Sequence, residues 1–139
     1  MNTEVDVDAL EVGQPIPELV WATGLDNWNR FAAVNDEFVP IHMDDAAGQA
    51  AGYPSAFGMG NLQWSYLHNA IRHWAGENAT ILKVSCSFRG PNIKGQTVTA
   101  GGTIRSVTRQ ADHTVVELDI WTKNQDGGPL APGSATVQF

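Results

Sequence analysis

Between Gly58 and Trp74 the residues Met59, Leu62, Tyr66, Ala70 and Trp74 recur at the spacing of one helical face. Leu67 and Ile71 widen that stripe, and Trp64 adds an apolar residue off it. A helix apolar over more than half its circumference belongs in an interior, so this segment is expected to be long and buried. After Gly76 the period drops to two. Val84, Cys86 and Phe88 alternate with Lys83, Ser85, Ser87 and Arg89 within Ile81–Arg89. Val98, Ala100, Gly102 and Ile104 alternate with threonines, and Val116, Leu118 and Ile120 alternate with Glu117, Asp119 and Trp121. Ala135, Val137 and Phe139 complete a last alternating run. Each pattern predicts a strand with one face on a core. Gly90–Gly95 and Asn124–Gly128 read as breaks between strands.

Upstream, Thr23–Ala33 is expected to hold a short helix capped by Thr23 or Asp26. Asp44–Gly52 reads as another, with an acidic start and a glycine stop. Gly13–Pro17 carries two prolines and reads as a loop or the lead-in to an edge strand. Short helices, one long buried helix and then a run of strands indicate an α+β architecture. A sheet curling around the single apolar helix buries both.

Composition narrows the function. The 139 residues are an ordinary length for one domain, 1–139, and 42% are apolar, enough for a core without disulfides or a structural metal. The net charge is −7 with only eight Lys plus Arg, which disfavours a nucleic-acid partner. One cysteine, Cys86, excludes an intrachain disulfide and reads as a small buried hydrophobe. The acidic stretch Met1–Asp8 lacks the apolar run of a signal peptide, and no stretch approaches a membrane span, so a cytoplasmic location is expected. His42, His68, His73 and His113 show no metal-ligand spacing, and no glycine-rich nucleotide loop is present. Neither a metal nor a separate cofactor is expected.

The chemistry concentrates in Asn35–Asp44. Asp36, Glu37 and His42 flank Pro40, which cannot sit inside a helix and holds Val39 extended. A rigid link of this kind can aim a carboxylate and an imidazole at one point, as an acid/base pair requires. The alternative is a solvated Asp-Glu turn beside a hydrogen-bonded structural histidine.

Phe38-Val39-Pro40-Ile41-His42-Met43-Asp44 resembles the signature of the MaoC-like dehydratases and R-specific enoyl-CoA hydratases, Gly-Asp-Phe-Asn-Pro-Ile-His with an Asp one residue later. Tyr53–Met59 is similar to that family's approach to its central helix, where His-Gly-Met is common. Phe88–Val98 resembles its strand-turn-strand, and Glu117–Val137 its closing hairpin. The resemblance implies a hot-dog fold, with a curved antiparallel sheet wrapped around one long helix, and pairing with a second hot-dog subunit, like or unlike. It also implies syn addition of water to a trans-2-enoyl-CoA, or the reverse, with CoA as part of the substrate.

Carried onto this chain, the resemblance makes His42 the proton shuttle. Counting back from His42 puts the family's catalytic carboxylate on Glu37, and one inserted residue would transfer it to Asp36. Val39 stands where the family has Asn, and Phe57 where it has His. The thioester oxygen needs a preorganised donor, for which the Gly58 N–H at the helix start is the candidate. Its alternative, shared with Gly60, is close helix–sheet packing. Arg89, Lys94 and Arg72 are candidates for the CoA phosphates, and Asp44 is read as a helix cap. Two other functions compete. One is a non-catalytic or partner-dependent subunit of a heteromeric hydratase. The other is a thioesterase, which usually carries a carboxylate on the central helix, where Gly58–His73 has none. A module that binds an acyl thioester without chemistry is a weaker third. The five tryptophans can line a wide pocket for a bulky acyl group or fill the core.

Overall fold

The computed structural model describes residues 4–139, so the first three residues of the acidic leading stretch lie outside it. The elements run β1 (Pro15–Ala22), α1 (Leu25–Asn35), α2 (Asp45–Ala50), α3 (Gly60–Ala75), β2 (Thr80–Cys86), β3 (Thr97–Arg109), β4 (Thr114–Asn124) and β5 (Pro129–Gln138). The five strands form one antiparallel sheet in the order β1-β3-β4-β5-β2. The architecture is α+β, and α3 lies against the inner face of the sheet.

The apolar stripe of α3 is buried as its spacing requires. Leu62, Tyr66, Leu67, Ala70, Ile71, Trp74 and Ala75 are all interior, while Trp64, off the stripe, is exposed. Two faces of the helix feed two core clusters. Leu67, Ile71 and Trp74 pack with Ile104, Val116, Leu118, Ile120, Ala135 and Val137 of the sheet. Met59, Leu62, Tyr66 and Ala70 pack with Trp28 and Ala32 of α1 and with Val98, Ala100 and Leu130. The inward residues of β3 and β4 are those that alternation identified.

Three expectations need correction, and the edge-strand reading of Gly13–Pro17 holds: Pro15–Ala22 is a full edge strand, with Pro17 at a break in its register with β3. A proline is tolerated there because an edge strand has one side without ladder bonds. The α1 helix starts at Leu25 behind Gly24, whose N–H is held by Asn27 Oδ1 at 3.0 Å. Thr23 does not cap it, because its hydroxyl donates to the Gln96 carbonyl, and Asp26 sits inside the first turn. The β2 strand stops at Cys86, so Phe88 lies beyond it, 58% exposed, with its ring against Gly60. The last strand starts at Pro129, earlier than the alternating run from Ala135.

Because Leu67 is fully buried between helix and sheet, Leu67→Ala is expected to cost about 2–5 kcal/mol of unfolding free energy. A urea titration followed by tryptophan fluorescence checks this.

Candidate active site

The chain reaches α3 through an extended segment held on both sides. The Phe57 N–H donates to the Ile41 carbonyl at 3.1 Å, and the Gly58 N–H donates to the Asn92 carbonyl at 2.7 Å. A side chain at Gly58 has no room: its Cβ would stand 2.9 Å from Trp28 Nε1 and 3.0 Å from Asn92 Oδ1. Asn92, itself buried, donates from Nδ2 to the Thr23 hydroxyl at 2.9 Å and so ties this clasp to the end of β1. Gly58 is therefore a packing residue. The expectation that its N–H faces an oxyanion does not hold, since that hydrogen is already bonded to a backbone oxygen.

Pro40–His42 forms a single tight helical turn, with Val39 extended before it and Pro40 in its first position. This turn buries His42 to 8% exposure and places Nδ1 2.7 Å from the Phe57 carbonyl. A carbonyl can only accept, so Nδ1 carries the hydrogen, and in the neutral ring Nε2 holds the lone pair. The Phe57 ring meets the imidazole edge-on at 5.4 Å and closes one side of it. Asp44 caps α2, its Oδ2 accepting from the Ala47 N–H at 3.0 Å, as its position implied.

His42 opens onto a cavity of about 260 Å³. Its other walls are Tyr53, Phe57, Gly58, Gly60 and Gln63, with Phe88, Arg89, Gly90 and Pro91 opposite. The two carboxylates are placed differently from each other. Glu37 is half-buried, and its Oε2 accepts from Asn35 Nδ2 at 3.0 Å and from Asn61 Nδ2 at 3.4 Å. Asn61 follows the cavity-lining Gly60. Asp36 is exposed in the left-handed conformation that ends α1, at φ 51°. Neither carboxylate is part of the cavity wall.

The three cations separate. Arg89 lies at the cavity and forms no ion pair among the described residues. Lys94 is bound to Asp45 at 2.5 Å. That ammonium and the Ala56 N–H hold the Asp45 carboxyl below its usual range. Arg72 lies away from this cavity. It stands twelve residues beyond Gly60, about 18 Å along the helix at 1.5 Å per residue. Its guanidinium donates to the carbonyls of Gly76 and Ala79, both at 2.8 Å, and so closes the C-terminal end of α3.

None of the five tryptophans lines this cavity. Trp28 fills the core, Trp21 stacks on Tyr66 with centroids 4.2 Å apart, and Trp121 lies on the outer face under Lys123. Burial pushes the Tyr66 hydroxyl up to about 12, so it stays a neutral phenol, accepting from Asn27 Nδ2 at 3.0 Å. A second cleft of about 490 Å³, at the far end of α3, includes Trp74, Val5, Val7 and Phe139. It brings no imidazole and no cationic side chain together with its Glu4 and Glu77. Among the described residues no group of three or more His, Cys, Asp or Glu is placed to hold a metal, and no helix is long and apolar enough to cross a membrane.

Gln63 and Asn61 escaped the sequence reading. Gln63 had a signal: it is a polar residue within the apolar stripe, on the face shared by Tyr66 and Ala70, and a buried polar residue is the informative kind. Asn61 had none, because its role depends on where the 35–44 segment folds back.

No protein-family model matches the chain, and a search of the curated proteins finds no match. Solved structures do match. An (R)-hydratase from A. caviae involved in PHA biosynthesis is 27% identical, with a TM-score of 0.83 over 93% of this chain and 96% of that one. R-hydratase PhaJ1 from Pseudomonas aeruginosa is 21% identical, with a TM-score of 0.84 over 96% and 87%. The ChsH1-ChsH2 complex from Mycobacterium tuberculosis is matched at 20% identity and a TM-score of 0.81 over 91% and 96%. The fold is the hot-dog fold of these proteins and of the MaoC-like dehydratases.

Two outcomes follow from the placements above. Arg72→Gln removes the closure at the C-terminal end of α3 and is expected to lower stability by about 1 kcal/mol, read as a fall in melting temperature, while leaving ligand binding at the distant cavity unchanged. Burial raises the Cys86 thiol above its ordinary value, so Cys86 is expected to react with iodoacetamide near neutral pH more slowly than free cysteine, followed by intact-protein mass spectrometry.

Proposed function

We propose, on the premise that the chain is a hot-dog protein of the MaoC-like type, that it adds water to a trans-2-enoyl-CoA to give a 3-hydroxyacyl-CoA, or runs the reverse. The observation that carries this reading is the state of His42. Its Nδ1–H is fixed by the Phe57 carbonyl, so in the neutral ring the lone pair sits on Nε2, at the cavity that His42 lines. That is the protonation state needed to take a proton from water and return one to carbon. In the forward direction the water oxygen bonds to the β-carbon as one of its O–H bonds breaks. The electron pair of the double bond moves toward the thioester oxygen, and the α-carbon then takes a proton. The hydratase neighbours support this chemistry.

Glu37 is the better carboxylate partner. It is half-buried and tethered by Asn61 at the head of α3, while Asp36 points its charge from an exposed helix end. A glutamate also reaches about one C–C bond further than an aspartate, roughly 1.5 Å. Asn61 then acts as a positioning residue for Glu37. Arg89 remains the cation for a CoA phosphate, since Lys94 and Arg72 are engaged elsewhere.

A second reading has support of its own. Neither carboxylate lines the cavity, and one matched structure is a complex of two unlike proteins. On that reading the chain acts only beside a partner hot-dog subunit. Pairing of either kind would use β2, which leaves one edge of the sheet unpaired with Leu82 exposed on it. A thioesterase is disfavoured, because the polar side chain that α3 presents to the cavity is an amide, Gln63, which is neither a base nor a nucleophile.

Hydration of crotonyl-CoA, read as loss of enoyl absorbance, tests the proposal. Wild type is expected to be active, His42→Ala and Glu37→Gln to lose about 10²–10⁴-fold in rate, and Asp36→Asn to stay near wild type. A wild-type chain inert on short and bulky enoyl-CoAs alike overturns catalysis by this chain alone. Addition of a partner subunit then decides the second reading. Size-exclusion chromatography with light scattering is expected to show a dimer.

A further inference from the structure

The Gly58 amide is spent on Asn92, so the thioester oxygen must find its hydrogen-bond donor elsewhere in the cavity. Gln63 lies three residues into α3 from Gly60 and lines the same cavity as His42. It is only 4% exposed. Its Oε1 accepts from Thr122 Oγ1 at 2.6 Å, and Thr122 is fully buried on the inner face of β4. The Nε2 group forms no hydrogen bond among the described residues. The Nε2 end is not sealed from solvent, so it is open at the cavity and free to donate there. An Nε2 presents only hydrogens, so a ligand atom that meets it must be an oxygen with lone pairs.

We propose that Gln63 Nε2 donates to the thioester carbonyl oxygen of the bound acyl-CoA and stabilises the charge that develops there. The identity of that oxygen rests on the hydratase reading above. When the β-carbon is attacked, the C=C electron pair shifts and the thioester oxygen gains negative charge, until the α-carbon takes its proton. A donor already aimed at that oxygen holds the enolate-like state more tightly than the ground state. Thr122 is the positioning residue. Its hydroxyl hydrogen goes to Oε1, and in this arrangement Nε2 is the end left to face the ligand. Asn61 tethers the carboxylate, Gln63 meets the carbonyl, and both come from the first turn and a half of α3.

Gln63→Met keeps the length of the side chain and removes the donor. Gln63→Met/Thr122→Val also removes the hydroxyl that would be left without an acceptor, and serves if the single variant folds poorly. With crotonyl-CoA, both are expected to lose about 10²–10³-fold in kcat with little change in KM. The spectroscopic probe is butyryl-CoA labelled at the thioester carbon, which binds but cannot take up water. In wild type its carbonyl stretch is expected to move to lower frequency than in free solution, and the shift is expected to shrink in the variants. A shift unchanged by Gln63→Met, no shift in wild type, or no binding of butyryl-CoA overturns the inference. Loss of the shift on substitution together with a wild type that hydrates nothing upholds Gln63 as the carbonyl donor and removes hydration by this chain alone instead.

Discussion

A helix that is apolar over most of its circumference has to be enclosed, and enclosing α3 is the constraint to which the rest of the molecule answers. One sheet must curve far enough to cover it, and α1 must close what the sheet leaves open. Two side-chain clusters result, one toward the middle strands and one toward Trp28 and Val98. The N-terminal end of the helix is the place where this enclosure is incomplete. There the sheet gives way to the segments 39–42, 53–58 and 88–92, and a cavity remains between them.

The chemistry at that cavity is assembled by backbone. The Phe57 peptide uses its N–H on Ile41 and its C=O on the imidazole, while the next N–H is taken by Asn92. Two segments distant in sequence, around 41–42 and 92, are thereby laced to one extended dipeptide. Gly58 is required because the lacing draws its Cα against Trp28 and Asn92. The tautomer of His42 is a by-product of the same lacing. It persists as long as the loop keeps its path, and it needs no charged neighbour.

Much of this was legible from residue order. The period of 3.6 over 58–74 and the period of two after Gly76 marked the helix and most of the sheet, because burial imposes those periods directly. The His42 segment stood out because a proline restricts both itself and its predecessor. What was not legible depended on pairing across the chain. The prolines of β1 left a loop and an edge strand both open, and the strand is tolerated because it lies at an edge. The Gly58 hydrogen was assigned to a ligand because the start of a helix ordinarily leaves its N–H groups open. Only the fold reveals that residue 92 supplies a carbonyl there. The same holds for Lys94, bound by Asp45, and for Arg72, turned to its own helix end.

The two margins of the sheet are unlike. Each has a break in its register with the neighbouring strand, but β1 carries Pro15 and Pro17, while β2 runs Thr80–Cys86 with no proline. A chain with two open margins can add copies without limit, each leaving a fresh sticky side, which is the geometry of a fibre. A chain with one open and one blunted margin can join a single neighbour through the open side and then presents only blunted sides outward. The prolines of β1 thus act against growth of the sheet through that margin.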